Sequence, residues 1–164
     1  MEKPESQTNH ARAHSFDEFY RTHRDSVFRA LLVTLRNPEA AAEAVDEAMT
    51  RALERWDKLA GYDRPDRWVF RVGLNWAISA WRRTRRETLD ILVEPSTEDG
   101  LPDPEVARAL ARLPVRYRAV VVCRCYLDWS TDDTASALGI SPGTVKSRLS
   151  RALKRLAADL GEET

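Results

Sequence analysis

Four polar side chains in the stretch SPGTVKSRLSRALKR, residues 141–155, have spacings that could read a DNA major groove. Lys146, Ser147, Ser150 and Arg151 recur at one-, three- and four-residue steps, so on a helix they share a side. Arg148, Lys154 and Arg155 add cations suited to phosphates, and residues 142–156 contain no acid. A second stretch, RWVFRVGLNWAISAWRRTRRE at 67–87, interleaves three tryptophans and a phenylalanine with arginines. Rings stack on unpaired bases while guanidinium groups hold phosphates, which suits single-stranded nucleic acid. A core helix with buried tryptophans and a cationic C-terminal end fits the same composition.

Other chemistry is poorly supported. The histidines (His10, His14, His23) form no zinc-ligand spacing with Cys123 and Cys125. No phosphate-cradling glycine loop is present, and no serine, cysteine or histidine has a recognisable catalytic setting. The expectation is therefore a protein with no catalytic residues, no metal and no cofactor. Cys123 and Cys125 lie two apart on a helical stretch, so they point to different sides and do not pair, as in a reducing cytoplasm. The longest apolar run, AVVVC at 119–123, is too short to cross a membrane, and the first fourteen residues lack the apolar core of a secretory signal.

The 26 basic and 26 acidic residues balance, but in blocks. RRTRR at 82–86 is cationic, whereas 89–105 holds six acids and no base. Blocks of this kind suggest separate tasks.

The elements that must position these residues read as helices. Ser15 and Glu18 form a capping box, followed by Phe16, Phe19, Tyr20, His23, Val27, Leu31 and Leu35 at helical steps. Asn37-Pro38 starts a second helix, expected to run to about Leu59 and to be closed by Gly61. Its stripe is Ala41, Ala44, Val45, Ala48, Met49, Ala52 and Trp56, with acids on much of the remainder. A third helix begins near Asp63–Asp66 and continues to about Glu87. Residues 88–104 have a linker's composition, with three prolines and a glycine. Helices at 105–112 and about 115–127 follow. No segment alternates with period two. The expected fold is all-α: two small helical domains, 15–88 and 105–160, joined by a flexible acidic linker at 89–104 and preceded by a disordered tail, 1–14.

Within the second domain, Ser130 and Asp133 make another capping box. Gly139 can turn the chain through positive φ, and Ser141-Pro142 opens the next helix. Ala135 permits a close crossing and Val145 locks it, which is the helix-turn-helix requirement. Val145, Leu149, Ala152, Leu153 and Leu156 form the expected buried face of the second helix.

The whole chain, from about 15 to 158, resembles the extracytoplasmic-function (ECF) sigma factors of bacterial RNA polymerase, in particular the actinobacterial sigma-E type. AEAVDEAMTRALERW (42–56) is similar to the family's polymerase-docking segment, and VGLNWAISAWRR (72–83) to the segment that melts and reads the −10 element. RLPVRYRAVVV (112–122) and STDDTASALGISPGTVKSRLSRAL (130–153) resemble the domain that reads the −35 element. The resemblance implies that Glu43, Asp46, Glu47 and Arg51 contact the polymerase clamp helices. It puts Asn75, Ser79, Arg82 and Arg83 on the −10 strand, with Gly61, Tyr62, Asp63 and Arg64 in the loop that captures an extruded base. Lys146, Ser147, Ser150 and Arg151 match the −35 reading positions. Core RNA polymerase, promoter DNA and an anti-sigma factor are the implied partners, and the chain departs from the family pattern at Ala44, Leu74, Ser79 and Thr134.

A competing reading is a stand-alone regulator that binds duplex operators through 105–160, its first domain sensing or dimerising. The two differ in whether the protein works with core polymerase or alone.

Overall fold

The computed structural model describes residues 5–85 and 103–161, with side chains from 12–84 and 103–161. The expected linker lies outside the described residues except for Asp103 and Pro104, as does the expected third-helix end at Glu87. Among the described residues there is helix and no strand: α1 (Glu5–Leu35), α2 (Pro38–Glu54), α3 (Trp56–Leu59), α4 (Pro65–Arg85), α5 (Pro104–Arg112), α6 (Val115–Val121), α7 (Thr131–Leu138) and α8 (Pro142–Asp159).

The α1–α4 unit is built on two helix crossings. Phe16, Phe19, Val27 and Leu31 of α1 are buried with Ala41, Ala44, Val45, Ala48, Met49 and Ala52 of α2. The small residues bring α2 close to α4. A Cβ added at Gly73 would sit 3.1 Å from the Ala44 carbonyl oxygen and 3.0 Å from Leu31 Cδ1. Asn37 caps α2 as its type predicts, its Oδ1 accepting from the Ala40 N–H at 2.9 Å.

Three local expectations are corrected. The first helix does not start at Ser15, and 5–14 are not a disordered tail: α1 begins at Glu5. No glycine or proline interrupts 5–14. Arg12 fixes this end, donating to the Leu53 carbonyl at 3.1 Å and pairing with Asp57 at 3.1 Å. The second helix does not reach Leu59 unbroken, because it stops at Glu54 and Arg55 leaves helical geometry at φ −110°, ψ 15°. The break turns Trp56 onto Phe16 and Phe19, with ring centroids 5.4 and 4.8 Å apart. Gly61 is not among the positive-φ glycines, so it does not close α3 as a left-handed cap.

The α5–α8 unit contains the helix-turn-helix. Ser130 caps α7 and Ser141 caps α8, accepting from Asp133 N–H at 3.0 Å and Thr144 N–H at 3.1 Å. Gly139 between them has φ +65°, and Val120, Ala135 and Val145 form the small core under the crossing. Leu153, expected on the buried face of α8, is 45% exposed, because its position rotates past the edge of the stripe that Val145 and Ala152 bury. After α6 the chain does not continue as α-helix to 127 but widens into a π turn over Val122–Tyr126, with Leu127 N–H donating to the Val122 carbonyl. Cys123 is buried and Cys125 exposed, and both are free.

The two units pack together. Arg118, buried, donates through Nε to the Thr34 carbonyl of α1 at 2.5 Å and through Nη1 to the carbonyls of Leu110, Ala111 and Leu113 at 3.2–3.3 Å. Arg36, left-handed at φ +58° beyond α1, donates to the Ala107 carbonyl at 2.5 Å. Phe70 of α4 meets Trp129 edge-on at 5.7 Å. Arg67 lies over the same indole at 5.5 Å and pairs with Asp133 at 2.5 Å.

Candidate nucleic-acid interface

The reading face of α8 is set by burial of its opposite side. Val145 and Ala152 are fully buried, which leaves Lys146, Ser147, Ser150, Arg151 and Lys154 exposed; Arg148 is half-buried on the flank. Ser147 donates its hydroxyl to the Thr144 carbonyl at 3.1 Å, so what it presents outward is an acceptor. No carboxylate pairs with any of these cations among the described residues. The surface is thus an acid-free row of cations and hydroxyls on one helix, the form that suits base edges flanked by phosphates.

On α4, Val69, Phe70, Gly73, Leu74 and Ala77 face inward. Asn75, Ser79 and Arg82 form an exposed stripe on the far side, with Arg83 beside it. Arg71, one turn before Asn75, continues the stripe. Sequence reasoning did not single it out, although its i−4 spacing could have done so. The tryptophans divide between the two alternatives: Trp68 and Trp76 are half-buried against the core, while Trp81 is 58% exposed beside the cationic end.

The loop residues Gly61, Tyr62, Asp63 and Arg64 are exposed. Arg64 is already engaged, gripping Asp66 with two hydrogen bonds of 3.0 and 2.8 Å. Burial alone would raise the Asp66 carboxyl's pKa, but the hydrogen bonds and charge of Arg64 outweigh it and hold the group below the usual carboxylate range. On α2, Glu43, Asp46 and Arg51 are exposed and Glu47 is half-buried. Two of these acids have internal partners: Arg24 reaches Asp46 at 3.2 Å, and Arg51 reaches Glu47 at 2.7 Å one turn away.

The structure does not bring the α4 and α8 surfaces together into one groove. Instead α7 lies on the N-terminal part of α4, where Arg71 approaches the Ser136 carbonyl and the outer side of Gly139. A cavity of about 200 Å³ at this junction is lined by His23, Arg64, Asp66, Phe70, Leu127 and Trp129. Arg67 and Trp129 carried no local signal of such a role, because each meets its partner across the units.

The sigma-70 region 2 family matches residues 19–87, and sigma-70 region 4 matches residues 104–156. The RNA polymerase sigma-E factor of Streptomyces avermitilis is 34% identical over 157 residues, which cover 92% of this chain and 88% of that protein. The chain belongs to the ECF sigma factors. Another relative, the ECF RNA polymerase sigma factor SigM of Mycobacterium tuberculosis, is 36% identical, with 90% of this chain and 78% of that one covered. Among solved structures, the sigma factor RpoE of Bartonella quintana, determined in complex with the anti-sigma factor NepR, superposes with a TM-score of 0.75 at 21% identity. It covers 91% of this chain and 98% of that one, a likeness of fold. The region 2 match contains α2 and α4, and the region 4 match contains the helix-turn-helix, so the two polar surfaces fall in different sigma regions of one chain.

Proposed function

We propose that this ECF sigma factor binds core RNA polymerase and directs it to promoters, reading duplex −35 DNA with α8 and melted −10 DNA with α4. The observation that carries this is the pairing of two exposed, acid-free polar surfaces, one in each sigma region. Lys146, Ser147, Ser150 and Arg151 contact base edges, while Arg148 and Lys154 hold phosphates. Asn75, Ser79, Arg82 and Arg83 face the melted strand, with Gly61, Tyr62, Asp63 and Arg64 at the captured base. Glu43, Asp46, Glu47 and Arg51 meet the polymerase.

The sigma factor itself makes and breaks no bonds. It supplies binding energy and position while the polymerase supplies catalysis. It acts in the cytoplasm, where its partners are; no helix among the described residues is long and apolar enough to cross a membrane. The match to a sigma factor solved with NepR supports an anti-sigma protein as a further partner.

Run-off transcription tests the reading. Core polymerase plus the purified chain should yield discrete transcripts from genomic fragments, including the region upstream of the chain's own gene, whereas core alone should not. Absence of transcripts, together with binding of the lone chain to a palindromic duplex, would overturn it in favour of an operator-binding regulator.

A further inference from the structure

Two acids of α2 are held in different ways. Glu47 pairs with Arg51 inside its own helix, one turn away. Asp46 is held from α1 instead: its Oδ1 accepts from Nη2 of Arg24 at 3.2 Å, across 22 residues of sequence. A pair within one turn forms wherever the helix forms, whereas a tie between helices depends on how α1 and α2 are packed.

Arg24 is a braced side chain. Its guanidinium carbon lies 5.9 Å from the ring centroid of Phe28, one turn on, and that ring packs against the core. Its Nη1 reaches Asp25 at 3.5 Å, and the Tyr20 hydroxyl, one turn back, hydrogen-bonds to it. Burial alone would lower the guanidinium's pKa, but the hydrogen bonds and charges of Asp46 and Tyr20 outweigh it and raise the value. The cation is also the more sheltered partner, its side chain 29% exposed against 64% for Asp46. Arg24 is therefore the fixed post and the carboxylate the group turned to solvent. A carboxylate has about four acceptor sites on two oxygens, and the bond to Arg24 occupies one of them on Oδ1. Pinning that oxygen aims the other outward and removes side-chain freedom that a partner would otherwise have to remove on binding.

We propose that Arg24 is a positioning residue for polymerase docking, one that pins Asp46 from α1 and presents its second oxygen to a cation of the partner. The inference rests on the reading that Asp46 meets the polymerase. It extends the docking machinery to a helix given no docking role above.

The test is a double-mutant cycle read as the dissociation constant of the full chain from core RNA polymerase, for the wild type, Arg24→Gln, Asp46→Ala and the two combined. Arg24→Gln should weaken binding about two- to fivefold, the span of a partly exposed ion pair, and should have no further effect once Asp46 is alanine. Arg24→Lys should recover binding, because an ammonium still donates to Asp46. Equal weakening by Arg24→Gln in both backgrounds would mean that it acts through the fold of α1, and tighter binding would mean that Arg24 competes with the polymerase for Asp46; either result overturns the proposal. An Asp46→Ala chain that binds as the wild type does removes the polymerase contact itself, and the positioning role with it. Should Arg24→Gln fail to fold, Tyr20→Phe takes away only the hydroxyl that braces the guanidinium. It should weaken binding when Asp46 is present and not when it is alanine, and no difference between the backgrounds would refute the role.

Discussion

Thr134, on the inner face of α7, is fully buried, and its hydroxyl meets no hydrogen-bond partner. A buried unsatisfied hydroxyl costs about 1–3 kcal/mol, so Thr134→Val, nearly the same shape, should stabilise the protein by about 1 kcal/mol. Thermal unfolding should show a melting temperature raised by a few degrees, and an unchanged or lower one would refute the assignment. Asp66 makes the opposite case. Its carboxyl is held below the usual range, so the stability it contributes is full above the unfolded value near 4 and fades as pH falls through the lower native value. Asp66→Asn should therefore cost about 1–2 kcal/mol at pH 7, discounted because Arg64 is partly exposed, and progressively less in acid. Denaturant titrations at pH 7 and pH 3 would show the gap closing. The sequence marks the departure at Thr134 but not the orphaned hydroxyl, since a partner's absence depends on what packs overhead. The Arg64–Asp66 grip, between residues two apart, is within reach of sequence reasoning, but there Arg64 reads only as a loop residue.

The caps were legible at the scale of the element because they are local. Asn37, Ser130 and Ser141 each accept from an N–H three residues on, and Gly139 turns where a left-handed residue is required. Helix ends set by distant partners were not legible. Arg12 meets Leu53 and Asp57, Trp56 is drawn onto Phe16, and the π turn brings Trp129 N–H to the Cys123 carbonyl. The α2–α4 crossing offers a direct test. Gly73→Val places carbon where the Ala44 backbone cannot easily retreat, so it should cost about 2–3 kcal/mol by overpacking. Equilibrium unfolding would measure this, and a loss below about 0.5 kcal/mol would mean the helices separate more readily than their packing implies.

The whole molecule raises a question of reach. By their own numbering the −35 and −10 elements are roughly 25 base pairs apart, about 85 Å of B-form DNA. A packed chain of this length has a radius of gyration of about 15 Å. The chain between Arg85 and Asp103 can extend to about 60 Å. An initiation subunit of the proposed kind must therefore part the contacts among Arg67, Phe70, Trp129 and Asp133 when it engages a promoter. Dyes on Cys125 and on an introduced Asp17→Cys would report the change, since burial pushes the Cys123 thiol up to about 12 and keeps it unlabelled. The dye distance should lengthen when core polymerase and promoter are added. Arg67→Glu, which opposes Asp133 with a like charge, should lengthen it in the free protein, and a fixed distance in both experiments would count against separation. None of this interface could be read from the sequence, because each contact joins a residue of α1, its exit or α4 to one far along the chain in the other unit.

Arg118 divides its hydrogen bonds unequally between the two units. One of the carbonyls it holds belongs to α1, and three lie at the end of α5 and its exit. A separation of the units would take the Thr34 carbonyl from the guanidinium, while the three carbonyls at the corner between α5 and α6 belong to its own unit. The corner between α5 and α6 is thus held by the same side chain that ties it to α1, so one guanidinium serves both the fold of the second unit and its docking on the first.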